Sequence, residues 1–508
     1  MNTEIELKLR MKPDELGRLR RHPALRPLRL ASSRTRKLHN VYFDTEDLAL
    51  RKNRMALRVR HVGRQRIQTL KAPDAGANGA AHHFIEWESA IDGDQPVLAE
   101  IADPAVREAL PDEAELRQAF VSDISRSTVP LVMRDSKIEL ALDTGEIATV
   151  NGSEPVCEAE LELKSGRPAR LYELALQLHE DVPFTVEYRS KAARGYYLLT
   201  GAEPGASKAA PLDLDADLGA WEAFVVIARQ CLQHLRANED CARLGKDPEG
   251  VHQLRVGIRR LRAAFSLFGA VLPAEHHRHF VEELRWAQQS FGPARDWDVF
   301  IGETLEPLAH RLPEQDTLVR LIHAASEARD AAYRQVTATL NERRYTRLQL
   351  QLDLWLESGA DHVGGAIENP PWLRPVGAVA REVLAARHRR LRKLAKNFPM
   401  LSDEGRHRLR INAKKARYAA EFFRTLFPRK QAQRYARALA EMQDCLGSMN
   451  DAVVGHALVE KLTQDDDSFG RATDMLAGWH AARIAGDMPR AAEMSRKIVK
   501  IERFWETA

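Results

Sequence analysis

The sequence holds only four cysteines in 508 residues, Cys157, Cys231, Cys241 and Cys445, with no CxxC pair among them. That excludes a disulfide framework and a cysteine zinc site, and leaves four inert thiols to be buried. No uninterrupted apolar run approaches the roughly 20 residues that a membrane helix needs. Met1 is followed by a mixture of acidic and basic residues instead of a secretory signal. A cytoplasmic protein without membrane association is therefore expected. Aromatic residues make up only 6% of the chain. Net charge of one sign is also missing, since 76 basic and 72 acidic residues leave +4. Any site for a polyanion or a cation must then come from local patterning.

What is present describes a folded chain of more than one domain. Hydrophobic residues are 44% and charged residues 29%, the balance of a globular protein. A length of 508 residues exceeds what one core usually holds, so two or three domains are expected. Residues 201–219 (GAEPGASKAAPLDLDADLG) are rich in Gly, Ala and Pro, follow neither hydrophobic period, and read as a linker. Before them, residues 4–9, 56–62, 85–91, 138–142 and 158–163 alternate with period two, the strand signature. After them, apolar residues recur every three or four positions. The expected layout is 1–200 as a strand-rich domain, 201–219 as linker and 220–508 as a helical domain.

The helical half repeats itself at a constant offset of 155 residues, around 252–299 and 407–454. His252 falls on His407, and Leu254, Arg255, Phe268, Pro273, Leu284, Gln288, Gly292, Asp296 and Val299 fall on the same residue types, without a gap. Two related helical bundles in a pseudo-symmetric pair are expected. The fold class expected is α+β: a strand-rich domain with covering helices, followed by an all-α domain.

In the first half, alternation places charge on one face of strand after strand. Glu4, Glu6 and Lys8 share a face opposite Ile5, Leu7 and Leu9. Arg58 and Arg60 flank Val59, Glu86 and Glu88 flank Trp87, and Glu158, Glu160 and Glu162 alternate with Ala159 and Leu161; Lys71 and Asp143 extend the set. One such strand would be an ordinary half-exposed strand. Five of them fit a barrel whose outside is covered by helices and whose inside is wet. Like-charged carboxylates repel and buried ions need partners, so divalent cations and a polyanion are the natural occupants.

These residues resemble the CYTH, or triphosphate tunnel metalloenzyme, superfamily. The likeness rests on the EIELK opening, Tyr42-Phe43-Asp44-Thr45, LRVR around Arg58 and Arg60, TLK ending at Lys71, ALDTGEI around Asp143, EAELELKSG from Glu158 and SKAARGY from Ser190. It implies an antiparallel β-barrel tunnel with covering helices that binds a triphosphate with Mg²⁺ or Mn²⁺. Members hydrolyse inorganic or thiamine triphosphate or cyclise a nucleotide, as class IV adenylate cyclases do. On this resemblance Glu4, Glu6, Asp143, Glu158, Glu160 and Glu162 are the metal candidates, because hard divalent ions prefer carboxylate oxygen. Which of Glu158, Glu160 and Glu162 places a second metal stays open. Lys8, Glu160 and Glu162 are the catalytic candidates. Lys8, Arg58, Arg60, Lys71, Arg126, Lys191 and Arg194 would neutralise the phosphate chain. Glu86 and Glu88 either join the metals or balance the basic lining.

In the helical half, His252, Arg255, Arg259 and Arg262 are spaced three, four and three apart and form one helix face. Leu254, Ile258, Leu261, Phe265 and Phe268 occupy the opposite stripe. The second copy places His407, Arg410, Lys414 and Arg417 at the same spacings. The run from Arg387 to Lys393 adds a further basic helix. The segments VHQLRVGIRRLRAA and RDWDV resemble the CHAD family, an all-helical domain often joined to CYTH modules. That resemblance implies binding of inorganic polyphosphate by the basic residues and association with polyphosphate granules. Nucleic acid is the less favoured ligand, because few aromatics interleave with the basic residues to stack bases.

The expectation is a metal-dependent hydrolase of inorganic triphosphate joined to a polyphosphate-binding module. The alternatives are a polyphosphate sensor or granule-targeting protein without turnover, a class IV adenylate cyclase and a thiamine triphosphatase. A homodimer stays open.

Overall fold

The computed structural model describes residues 2–73, 82–313, 315–359, 370–463 and 469–506. The chain divides into two compact units, Met1–Pro204 with Asn341–Gly359, and Gly205–Leu340 with Ala360–Ala508. No helix among the described residues is long and apolar enough to cross a membrane. Cys231, Cys241 and Cys445 are buried and Cys157 half-buried, and none of the four forms a disulfide.

The first unit contains β1 (Asn2–Arg10), α1 (Pro13–Arg20), β2 (Arg34–Asp44), α2 (Ala49–Lys52), β3 (Ala56–Val62), β4 (Gln65–Pro73), β5 (His82–Ile91), α3 (Pro104–Glu108), β6 (Arg117–Met133), β7 (Ser136–Thr149), β8 (Gly152–Ser165), α4 (Ala169–His179), β9 (Thr185–Val186) and α5 (Lys191–Thr200). The strands pair antiparallel in the order β5-β4-β3-β2-β6-β7-β8-β1-β9, and β1 also pairs with β5, from Asn2 against Glu86 to Glu6 against His82. That pairing brings β5, one end of the series, back to β1, next to the other end, around a central space. Strand alternation decides what faces it. Leu7, Leu9, Leu140, Ala159 and Leu161 turn outward into a core with Leu171, Leu174 and Leu178 of α4. Val41, Phe43, Leu57, Val59 and Leu70 form a second outer core. The residues between them in sequence, the charged ones, point inward.

The interior is not polar throughout. Tyr42, Phe120, Ile124, Ile147 and Val156 share the inner faces and pack against Ala192 and Tyr196 of α5. This helix therefore closes one end of the space with an apolar floor. It can lie that close because position 195 is glycine: a Cβ there would stand 2.2 Å from the ring of Phe120.

The later chain forms α6 (Ala220–Arg236), α7 (Glu239–Leu244), α8 (Pro248–Phe268), α9 (Ala274–Ser290), α10 (Gly292–Phe300), α11 (Glu306–Arg311), α12 (Asp316–Leu340), α13 (Arg343–Ser358), α14 (Val376–Lys396), α15 (Asp403–Phe422), α16 (Arg429–Thr463) and α17 (Gly470–Lys500). In the second unit, α8 and α15 are the repeated helices. Equivalent residues meet one another: Phe268 and Phe423 rings lie 5.7 Å apart. Just before α6 and α14, Gly219 and Pro375 form a bridge in which Ala220 N donates to Arg374 O at 2.8 Å and Val376 N to Leu218 O at 2.9 Å. Such reciprocal contacts are what a pseudo-twofold axis produces. The copies differ where the first has two helices, α9 and α10, and the second the single α16. Pro293, at the start of α10, has no N–H with which to continue a helix, and Ser448 stands at the equivalent position.

One helix departs from the layout expected from sequence. By packing, α13 belongs to the first unit: its Leu350 is fully buried in the core with α4, β1 and β8.

Candidate functional site

Two groups of ion pairs line the interior of the first unit. In one, Lys8 on β1 pairs with Glu6, and Lys71 on β4 pairs with Glu4. Glu86 on β5 stands 3.5 Å from Lys71 and 3.6 Å from Arg58 on β3. Lys71 stays charged above its ordinary range, because Glu6 and Glu4 outweigh the cost of burial. Glu4 titrates higher than usual, through burial and the nearby Glu6. Arg60 binds Asn40 Oδ1 at 2.9 Å. It is pushed down to about 10 by burial and by Arg58 and Arg126.

The second group is denser. Asp143 on β7 and Glu158 and Glu160 on β8 are buried, and carboxylate oxygens of all three lie within 4.8 Å of one another. Register explains the gathering: Asp143 stands opposite Glu158, Glu160 opposite Lys8, and Arg126 of β6 opposite Asp143. Arg126 grips Asp143 with two bonds, at 2.8 and 2.6 Å, and also pairs with Glu160. Lys191, at the start of α5, reaches all three: Asp143 at 2.7 Å, Glu160 at 2.8 Å, and Glu158. Arg194, one turn on, binds Glu158 at 2.9 Å and Glu154 at 2.8 Å. Burial alone would discharge these groups. Instead the carboxylates hold Lys191 and Arg126 well above their ordinary values, and Arg126, Lys191 and Lys8 hold Glu160 well below its own.

The structure thus places Glu4, Glu6, Lys8, Arg58, Arg60, Lys71, Arg126, Asp143, Glu158, Glu160, Lys191 and Arg194 on one inner surface. Arg126, Lys191 and Arg194 are anchored in it and are not solvated surface cations. Glu162 stands apart, paired with Lys164 and raised in pKa by burial, outside the trio of close carboxylates. Glu86 balances cations, and Glu88 is exposed and bonded to Thr69 at 3.2 Å. The charge pattern did not single out Asn40 or Tyr42. Both lie on β2 directly opposite Arg60 and Arg58, which is where alternation puts residues of the same face. Tyr42 is buried yet more acidic than usual, because Arg58, Lys191 and Arg60 outweigh burial. Asp44 holds the floor in place: it accepts from Tyr196 Oη at 2.7 Å and from the Leu50 and Arg51 amides at 2.9 and 3.0 Å.

The three-carboxylate cluster offers only hard oxygen donors, the set that suits Mg²⁺ or Mn²⁺ and not a soft metal. The donors present therefore fit the divalent ion that the resemblance implies.

In the second unit the two basic faces look at each other. Leu254, Ile258, Leu261, Phe265 and Phe268 are fully buried behind α8, and Leu409 and Phe423 behind α15. Arg259 acts on both Arg410 and Lys414, and Lys414 is pushed down to about 7 by burial, Arg410, Arg259 and Arg417. Each copy sets an aspartate against its arginine, Asp296 against Arg255 and Asp451 against Arg410. Arg255 also donates to Gln288 O at 3.0 Å. Arg262 binds the Gln288 side chain, and Arg417 lies 3.4 Å from Glu421. The histidines break the symmetry. His252 is half-buried and pushed down to about 4 by burial and Arg295, whereas His407 is exposed and lies 3.1 Å from Asn450 Oδ1. Arg262, Arg387 and Arg390 converge on Lys415, so the basic run of α14 continues the same charged surface.

Residues 2–196 match the family model described as CYTH domain, and residues 226–460 the one described as CHAD domain. A curated inorganic triphosphatase of Haemophilus influenzae is 32% identical over 201 residues, 39% of this chain and 55% of that protein. An uncharacterized protein of Mycobacterium tuberculosis is 26% identical over 238 residues, 44% of this chain and 43% of that protein. The chain thus spans about half the length of these curated relatives. Among solved structures, the CHAD domain of the plant Ricinus communis is 33% identical, with a TM-score of 0.50, over 59% of this chain and 98% of that one.

Proposed function

Since the chain belongs to the CYTH family through its first unit and to the CHAD family through its second, we propose that it hydrolyses inorganic triphosphate to diphosphate and phosphate in the tunnel and binds inorganic polyphosphate on the helical unit. The observation that carries this reading is the pairing of a close carboxylate trio with inward cations on the surrounding strands. Asp143, Glu158 and Glu160 lie within 4.8 Å of one another, and Lys8, Arg58, Arg60, Lys71, Arg126, Lys191 and Arg194 surround the same space. Phosphoryl transfer depends on positioning and charge stabilisation more than on covalent chemistry from the protein. Arg126 offers a planar fork to phosphate oxygens and Lys8, Lys71 and Lys191 offer point charges.

Asp143, Glu158 and Glu160, with Glu4 and Glu6 on the adjoining strand β1, would hold Mg²⁺ or Mn²⁺. Such an ion, when bound, supplies charge neutralisation and an activated water. The protein's own part is orientation and proton handling. Glu160, held ionised far below its ordinary pKa, is suited to orient a water and is a poor proton acceptor. Glu162, raised in pKa near the end of the carboxylate row, is the better acceptor for a proton released from water. Lys8, next to Glu6 and opposite Glu160, would bind the phosphoryl group between them.

The helical unit supports the second part of the reading through cations crowded more closely than the nearby carboxylates Asp296, Asp451 and Glu421 offset. Two facing helices bury Lys414 and bring Arg410, Arg259 and Arg417 close enough to push it down to about 7. His252, Arg262 and His407 extend that surface. A chain of repeating phosphates relieves this repulsion with no need for base recognition.

Phosphate release from inorganic triphosphate, ATP and thiamine triphosphate, each with Mg²⁺ or Mn²⁺, tests the reading. Metal-dependent release that is fastest with inorganic triphosphate is expected. Triphosphate binding without turnover would favour the sensor instead.

A further inference from the structure

Helix α13 is part of the tunnel unit by packing and part of the helical half by sequence. Only Asn341 and Glu342 separate it from the end of α12, which lies in the helical unit. On the tunnel side α13 is firmly docked. Leu350 is fully buried among Leu171, Leu174 and Leu178 of α4, Leu7 and Leu9 of β1, and Leu161 of β8. Arg343 donates to the Glu180 carbonyl at 2.6 Å and to that of His179, and His179 Nε2 lies 3.2 Å from Arg343 O. The inward neighbours of those same β1 and β8 residues are Glu6, Lys8 and Glu160. On the helical side α12 is equally held. Arg329 Nε and Tyr333 Oη donate to Asp298 at 2.6 and 2.8 Å. Asp298 lies on α10, two residues beyond Asp296, the carboxylate that faces Arg255 in the basic cleft.

We propose that the α12–α13 segment couples the two sites, so that polyphosphate bound to the basic cleft changes how the tunnel binds triphosphate; this rests on the function proposed above. Each end of the segment is packed or bonded directly behind residues of one site. A bound polyanion that repositions α10 through Arg255 and Asp296 bears on α12 through Asp298. Two residues of chain, Asn341 and Glu342, then lead from α12 into α13. Packed elements pass on small shifts because their side chains are close-packed. Coupling between sites typically amounts to about 5–150-fold in affinity.

The test uses the full chain, wild type and two variants: one with four Gly/Ser residues inserted between Asn341 and Glu342, and Asp298→Asn. KM and kcat for triphosphate are measured with and without saturating long-chain inorganic polyphosphate, whose binding is followed separately by calorimetry. The expected result is a KM shift of about fivefold or more in the wild type, much reduced in both variants, with polyphosphate affinity and polyphosphate-free kcat unchanged. A KM shift of equal size in all three proteins would mean competition inside the tunnel and would overturn the coupling. So would bound polyphosphate with no KM shift in the wild type. Absence of polyphosphate binding or of turnover in the wild type would instead sink the underlying reading of the two sites.

Discussion

Replacing Lys191 by methionine removes one charge from the centre of the tunnel while keeping most of the side chain's length. Three buried carboxylates, Asp143, Glu158 and Glu160, share that ammonium, at 2.7 Å for Asp143 and 2.8 Å for Glu160. Arg126 still serves Asp143 and Glu160, and Arg194 still serves Glu158. Breaking a buried pair by removing one partner costs about 3–5 kcal/mol, and with two arginines left the lower end, about 3 kcal/mol, is expected. For a unit of this size that is a fall in Tm of roughly 6–12 °C. The loss should depend on pH. With a cation gone, a carboxylate of the trio keeps its proton to higher pH in the folded chain than in the unfolded one. The folded chain then binds more protons, so stability falls as pH rises through that raised pKa. The deficit should be larger near pH ~8 than near pH ~5.5. Mg²⁺ should restore part of it if the trio accepts a divalent ion. Denaturant unfolding of both proteins at the two pH values, in EDTA and in Mg²⁺, measures all of this. A deficit under about 1 kcal/mol, the size of an exposed pair, that is the same at both pH values would refute the reasoning.

Gly195→Ala should destabilise the tunnel by about 1–3 kcal/mol in thermal unfolding, as overpacking does, because its Cβ falls 2.2–2.6 Å from three ring atoms of Phe120; a stabilisation, as helix propensity alone predicts, would contradict the packing. Arg126→Lys should raise KM for triphosphate about tenfold or more, since a lysine cannot reproduce the two bonds to Asp143. Lys414, pushed down to about 7 when free, should take up a proton when polyphosphate binds at pH ~8 and lift its pKa. Calorimetry in buffers of different ionisation heat would reveal that uptake, and Lys414→Met should abolish it. Wild-type stability should fall as the medium is acidified through the carboxylate range, because Glu160 titrates far lower folded than unfolded; an acid titration of Tm checks the sign.

Strand alternation made the tunnel legible, because a two-residue period assigns a face to every side chain once one neighbour is placed. Glu4, Glu6 and Lys8, Arg58 and Arg60, and Glu158 and Glu160 all lie on the inner surface for that reason. The repeat at 155 residues was equally readable, and it foreshadowed α8 and α15 meeting through Phe268 and Phe423. Three features were out of reach of local pattern. The apolar floor depends on α5 meeting β2, β6, β7 and β8 across long sequence separations, and its glycine matters only because Phe120 is there. The placement of α13 depends on which apolar surface it finds: it buries Leu348, Leu352 and Trp355 on one side and Thr346, Leu350 and Asp353 on the other, so its sequence has no single inward face to read. The split among Glu158, Glu160 and Glu162 comes from Arg126 and Lys191 reaching the first two, and Lys164, two residues along, taking the third.

The most direct measurement is phosphate release from inorganic triphosphate with Mg²⁺ by the wild type and by Glu4→Ala/Glu6→Ala, with triphosphate binding to both followed by calorimetry. The account predicts metal-dependent turnover in the wild type that is abolished in the double variant while the variant remains folded. Unchanged turnover in the variant, or none in a wild type that binds triphosphate, would contradict it.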